Sequence, residues 1–114
     1  MATPTQWLAA TRPRTLPAAV APVVVGAVLA YTADALDVVL SVLAAIVALS
    51  LQIGVNYSND YSDGIRGTDD TRVGPVRLVG QGLATASAVK RAAFMAYGVG
   101  ATAGLLMVAL SGVW

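Results

Sequence analysis

The sequence predicts an all-α protein, a transmembrane helix bundle with three membrane helices. Three observations predict it. First, 57% of the 114 residues are hydrophobic and only 11% are charged, whereas a soluble domain carries about a quarter charged residues. Second, the charges leave three long gaps: 19 uncharged residues at 15–33, 22 at 38–59 and 23 at 92–114. A helix needs about 20 mostly apolar residues to cross a hydrocarbon core of about 30 Å, and three such windows leave no surface for a soluble fold. Third, when the chain is threaded three times through a bilayer, all seven Lys and Arg residues fall on one side.

The helices are expected near 16–33, 37–59 and 88–112, within a single domain covering 1–114. The first window is long for the apolar part of a signal peptide and is followed by further spans, so it reads as a retained helix. Pro17 fits its first turn. Pro22 lies inside it and is expected to kink it, freeing a carbonyl for a neighbour to satisfy. The turn near Asp34–Asp37 carries no basic residue and is short, so the first two helices are antiparallel neighbours. The loop at 60–87 holds Gly64, Gly67, Gly74, Pro75, Gly80 and Gly82, which predicts turns and short pieces there. Thr85 or Ser87 is the expected N-cap of the third helix. Gly98, Gly100 and Gly104 in that helix allow close helix approach. Arg12, Arg14 and the basic residues between Arg66 and Arg91 place the N-terminus and the 60–87 loop in the cytoplasm, so a cell membrane is the expected location.

Composition excludes several function classes. Glutamate, histidine and cysteine are absent, which removes a Cys/His zinc site, a His-based catalytic triad and a disulfide scaffold. A net charge of +1, spread over few basic residues, gives no nucleic-acid face.

All six acids are aspartates, and four lie within Asp60–Asp70. Residues 56–63 read Asn-Tyr-Ser-Asn-Asp-Tyr-Ser-Asp. On a helix, at about 100° per residue, Asn56, Asn59, Asp60 and Asp63 fall within an arc of about 100°, with Gln52 on the same stripe. Polar groups at membrane depth face a bundle interior or a wet cavity, and so point to function. Two carboxylates one turn apart with amide oxygens are hard ligands that suit Mg²⁺, which fills its remaining positions with water and phosphate oxygens. Arg66, Arg72 and Arg77 follow closely and suit the outer oxygens of a diphosphate. The competing reading is a solvated loop in which the aspartates pair with these arginines. A calcium loop fits poorly, because aligning Gly64 as its turn glycine puts Tyr61 at a ligand position. A nucleotide-binding P-loop needs Gly-Lys-Ser/Thr, which is missing.

The motif from Asn56 to Asp63 resembles the first aspartate-rich motif of the UbiA-type intramembrane prenyltransferases. The stretch NYSNDYSDGIRGTDDTRVGPVRLVGQGL, together with ATRPRTLPAAVAPVVVG near the N-terminus, is similar to the 1,4-dihydroxy-2-naphthoate polyprenyltransferases of menaquinone synthesis. The resemblance implies transfer of a polyprenyl chain from polyprenyl diphosphate to 1,4-dihydroxy-2-naphthoate at the membrane, with Mg²⁺ as cofactor. By position it implies Asn59, Asp60 and Asp63 at the metal. It implies Asn56, Arg66, Asp69 and Arg72 at the diphosphate, and Arg12 and Arg14 at the acceptor or the diphosphate. Arg12 and Arg14 also fit a plain role as anchors on the cytoplasmic side. Asp69 would leave the stripe on a continued helix, so it joins the site only if the chain turns at Gly64 or Gly67. The family implies about nine membrane helices and a second aspartate motif, and no acid follows Asp70. The chain is therefore expected to be an N-terminal part of a larger prenyltransferase fold, inactive by itself. A non-enzymatic membrane protein, such as a cation-binding transporter subunit or a scaffold hairpin, is the alternative.

Overall fold

The structure is a computed structural model and describes residues 2–66, Arg66 by its backbone alone, and 78–111. Among the described residues four α-helices follow one another: α1 (Pro4–Ala10), α2 (Leu16–Thr32), α3 (Val38–Arg66) and α4 (Ala86–Ser111), with a 3₁₀ turn at Pro13–Thr15 before α2. No strand occurs among the described residues. Three helical stretches, Pro13–Thr32, Val38–Ile65 and Ala86–Ser111, are long and apolar enough to cross a bilayer, and the chain is a multi-pass membrane protein.

Three of these helices, α1, α3 and α4, begin where a side chain satisfies a free N–H group, whereas Thr15 at the start of α2 makes no such bond. At α1, Thr3 and Gln6 form a reciprocal capping box, with Gln6 N donating to Thr3 Oγ1 at 3.2 Å and Thr3 N to Gln6 Oε1 at 2.9 Å. Pro4 follows at the first helical position, where its missing N–H costs nothing. The sequence reading did not anticipate α1, because seven residues are too few to show a period. Arg12, with φ of 55°, turns the chain from α1 into the 3₁₀ turn and α2. The α2 helix continues through Pro22. It stops at Asp34, whose φ of 56° lets Ala35 N reach back to Ala30 O at 2.8 Å. Asp37 opens α3, its Oδ1 accepting from Leu40 N at 3.0 Å. Of the two expected caps of α4, the structure uses Thr85, whose Oγ1 accepts from Ala88 N at 3.1 Å.

The largest departure from expectation lies at the end of α3. The helix does not stop near 59 but runs through Gly64 to Arg66. Gly64 is therefore not a turn residue; Gly67 and the rest of 67–77 lie outside the described residues. At 1.5 Å per residue, the 29 residues of α3 extend to about 44 Å, well beyond a hydrocarbon core of about 30 Å. Its last turns therefore project from the apolar layer, which is why a polar motif is tolerated there.

The α3 helix is central, packing along α4 and also against α2. Apolar attraction between helices is weak in lipid, so close approach through small residues matters. Gly54 lies beneath the ring of Tyr97, which would stand 2.6 Å from any added Cβ. Gly100 faces Ser50 and Leu51 in the same way, at 3.4 Å and beyond. Helix α2 contains no buried residue, and Val24, Val28 and Leu29 are all more than half exposed. Such a surface suits hydrocarbon. Among the described residues a contiguous buried cluster, Ala10, Tyr57, Leu78, Val89 and Ala93, joins α1, the end of α3, the segment after residue 77 and the start of α4.

Replacing Gly54 by Val should lower unfolding stability by about 1–3 kcal/mol, because the Tyr97 hydroxyl is held by Ser58 Oγ at 3.0 Å and its ring cannot swing away freely. Gly98→Ala, with no neighbouring atom within 4 Å of the added methyl, should instead raise it by up to about 1 kcal/mol, because alanine is the better helix former. Denaturation in mixed micelles, followed by far-UV circular dichroism, checks both.

Candidate functional site at the end of α3

Because α3 remains helical to Arg66, the stripe Asn56, Asn59, Asp60 and Asp63 does lie along one side of one helix. Packing divides it. Asn56 and Asp60 are 3% and 1% exposed, whereas Asp63 is half-buried and Asn59 is exposed. The edge of the stripe carrying Asn56 and Asp60 is covered by other parts of the chain. The edge carrying Gln52, Asn59 and Asp63 is the more open one.

Asn56 is held from the N-terminal side. Its Nδ2 donates to Thr11 O at 2.7 Å and to Thr15 Oγ1 at 3.3 Å, while its Oδ1 accepts from Gln52 Nε2 at 3.4 Å. One turn of chain, residues 11–15, is thus fastened to α3. That fastening carries Arg12, half-buried, and Arg14, exposed, to the same end of the bundle as the aspartates. Tyr57 strengthens the junction. Its hydroxyl donates to Trp7 O at 2.9 Å, and the two rings meet edge to face at 5.6 Å between centroids.

Asp60 is held from the other side. Its Oδ2 accepts from Leu78 N at 2.7 Å and its Oδ1 from Val79 N at 2.9 Å. Burying a charged carboxylate is costly unless it is well hydrogen-bonded; two short N–H bonds to the charged form offset that cost. Neither Leu78 nor Val79 was singled out by sequence reasoning. They contribute through their backbones, so no side-chain pattern marks them.

The donor set fits a hard divalent cation. The Asp60 carboxylate is a hard oxygen donor whose plane is fixed by the two N–H bonds. Asp63 and the Asn59 amide supply further oxygens of the same kind. Among the described residues no group of three acids, histidines or cysteines forms. Asp69, Arg72 and Arg77 lie outside the described residues, as does the side chain of Arg66, so their expected roles are not placed. A separate cavity of about 150 Å³ opens between α3 and α4, lined by Ser58, Tyr61, Lys90, Ala93, Phe94 and Tyr97. The Lys90 ammonium lies 5.9 Å from the Tyr61 ring centre. On α3 this cavity uses Ser58 and Tyr61, which face away from the aspartate stripe.

Fold and motif together define a multi-pass membrane protein with an acid-and-amide cluster at the rim of its central helix. The whole chain is homologous to 1,4-dihydroxy-2-naphthoate octaprenyltransferases. It is 55% identical over 114 residues to the one from Mycobacterium tuberculosis and 52% identical over the same length to the one from Mycobacterium leprae. Over 106 residues it is 39% identical to the one from Escherichia coli. The chain spans 39% of the length of each mycobacterial relative and 34% of the Escherichia coli one. No family model and no solved structure matches it.

Asn56→Ala should free the 11–15 segment at a cost of about 1–3 kcal/mol. The check is tryptic cleavage of the Arg14–Thr15 bond in micelles, which should become faster in the variant.

Proposed function

We propose that the chain forms the diphosphate-binding part of a membrane prenyltransferase that transfers a polyprenyl chain from its diphosphate to 1,4-dihydroxy-2-naphthoate in menaquinone synthesis. The observation that carries this reading is the 55% identity over all 114 residues to a protein of that name. The acid-and-amide stripe on α3 supports it independently. In this reading Asp60, Asp63 and Asn59 hold Mg²⁺ at the rim of the membrane. The ion, when bound, neutralises charge on the departing diphosphate. Arg66, Asp69 and Arg72 bind the diphosphate or order the groups that do. Asn56, whose amide nitrogen is committed to residues 11–15, serves from behind by keeping Arg12 and Arg14 near the site, where their guanidinium groups suit the acceptor carboxylate or the diphosphate.

The chemistry suits the place. Loss of diphosphate leaves an allylic centre with carbocation character, which water would capture, and a helix bundle in lipid keeps water away. The prenyl tail is as apolar as the exposed faces of the helices. The end of the bundle bearing Arg12, Arg14, Lys90 and Arg91 is the cytoplasmic end of a cell-membrane protein, following the positive-inside rule.

A chimera tests the assignment. Residues 1–114 replace the aligned segment of the Mycobacterium tuberculosis relative, and transfer is assayed with Mg²⁺, polyprenyl diphosphate and dihydroxynaphthoate. The chimera should form the prenylated product. Asp63→Asn within it should lower kcat/KM by about 100-fold or more, with membrane insertion retained. An inserted, folded chimera that transfers nothing, or an Asp63→Asn variant with full activity, would falsify the reading.

A further inference from the structure

We infer that the backbone turn at Leu78–Gly82 is a positioning element for the aspartate motif, docked on α3 by Asp60 and Gly64, and that this docking fixes the plane in which the Asp60 carboxylate is held at the site. The second half of this inference rests on the metal-binding reading given above; the docking itself does not.

Three observations meet at this point. Asp60 is 1% exposed and accepts the N–H groups of two consecutive residues, one on each oxygen. Such a fork fixes the plane of a carboxylate as well as its position. Gly64 lies one helical turn further along, and a Cβ there would collide with Cβ and Cγ1 of Val79. The turn can therefore reach Asp60 only because residue 64 has no side chain. This also accounts for a glycine inside a helix, where it is otherwise unfavourable. Finally, the turn is built to present those two N–H groups. Leu83 N and Ala84 N both donate to Leu78 O, at 2.8 and 3.0 Å, and Gly82 N donates to Val79 O at 3.0 Å. Gly82 takes a φ of 69°, which suits glycine. The carbonyls of residues 78 and 79 are thus spent within the turn, and their N–H groups point out at Asp60. The Leu78 side chain is fully buried and anchors the turn in the core.

Asp60 is then more than a ligand. With an N–H bonded to each oxygen, the plane of the carboxylate is aimed by the turn. A shift of residues 78–80 would re-aim it without altering any acidic residue.

The test combines amide exchange of the 114-residue chain in lipid nanodiscs with Mg²⁺ dependence of the chimera described above. Gly64→Ala should speed exchange at the Leu78 and Val79 amides by roughly tenfold or more, as expected for loss of charge-assisted hydrogen bonds, with helix content by circular dichroism unchanged. In the chimera it should raise the Mg²⁺ concentration for half-maximal transfer severalfold, while kcat at saturating Mg²⁺ changes little. Adding Val79→Gly removes the Val79 collision, leaving only a tight 3.2 Å approach to Gly80 N, and should restore most of both quantities. Asp63→Asn should leave exchange at the two amides unchanged. Val79→Pro, which deletes one donor and leaves Gly64 intact, provides a second route and should speed exchange at Leu78.

Native exchange rates in Gly64→Ala, or in Val79→Pro, overturn the docking. Faster exchange with an unaltered Mg²⁺ requirement overturns the link to the site. A chimera whose transfer needs no divalent cation counts against the metal reading instead, and the exchange rates then decide the docking alone.

Discussion

A single buried carboxylate ties the membrane-rim end of this protein together. Asp60 sits almost wholly out of solvent and accepts two backbone N–H groups from a segment 18 and 19 residues further along the chain. Removing a carboxylate from water is among the most costly steps in folding. Here the cost is offset by bonds to its charged form, and those bonds fasten the segment after residue 77 to α3. The fastening brings Leu78 into the core beside Tyr57, Val89 and Ala93. The entry to α4 is thereby set against the exit of α3.

The same end is tied from the N-terminal side by an amide in place of an acid. Asn56 reaches Thr11 and Thr15, Tyr57 reaches Trp7, and the short α1 is held by its capping box. Further along, the bundle depends on small residues that admit neighbours: Gly54 under Tyr97, and Gly100 against Ser50. Two regimes therefore share one chain. Within the apolar layer helices meet through shape, because lipid offers no apolar driving force between them. At the rim, polar groups supply specific bonds, and the chemically equipped residues lie among them.

That arrangement affects how the motif works. Asn56 and Asp60 are engaged with protein partners, while Asn59 and the half-buried Asp63 face the less covered edge. Four residues that share a helical stripe are therefore not equivalent. The covered pair organises the surrounding chain, and the open edge is the more accessible one. The arginines of the entry segment reach the same end through bonds made by Asn56, not through any sequence proximity to the aspartates.

The sequence by itself determined the class of fold and the helical stripe that carries the candidate site. Three charge-free windows, each long enough to cross a bilayer, can only be helices there, because hydrocarbon leaves no other partner for the backbone. The spacing of Asn56, Asn59, Asp60 and Asp63 placed them on one stripe, and the structure keeps them on one helix. Tertiary structure alone decided the end of α3 and the partners of the motif. Gly64 reads as a turn from composition, since glycine is a helix breaker on average; in the fold it is kept helical and used as a gap for Val79. The donors to Asp60 are backbone N–H groups, which every residue but proline carries, so no pattern of side chains could have announced them. Helical period and apolar length are local properties and are written in consecutive residues. Which backbone meets a given carboxylate is settled only when distant segments pack.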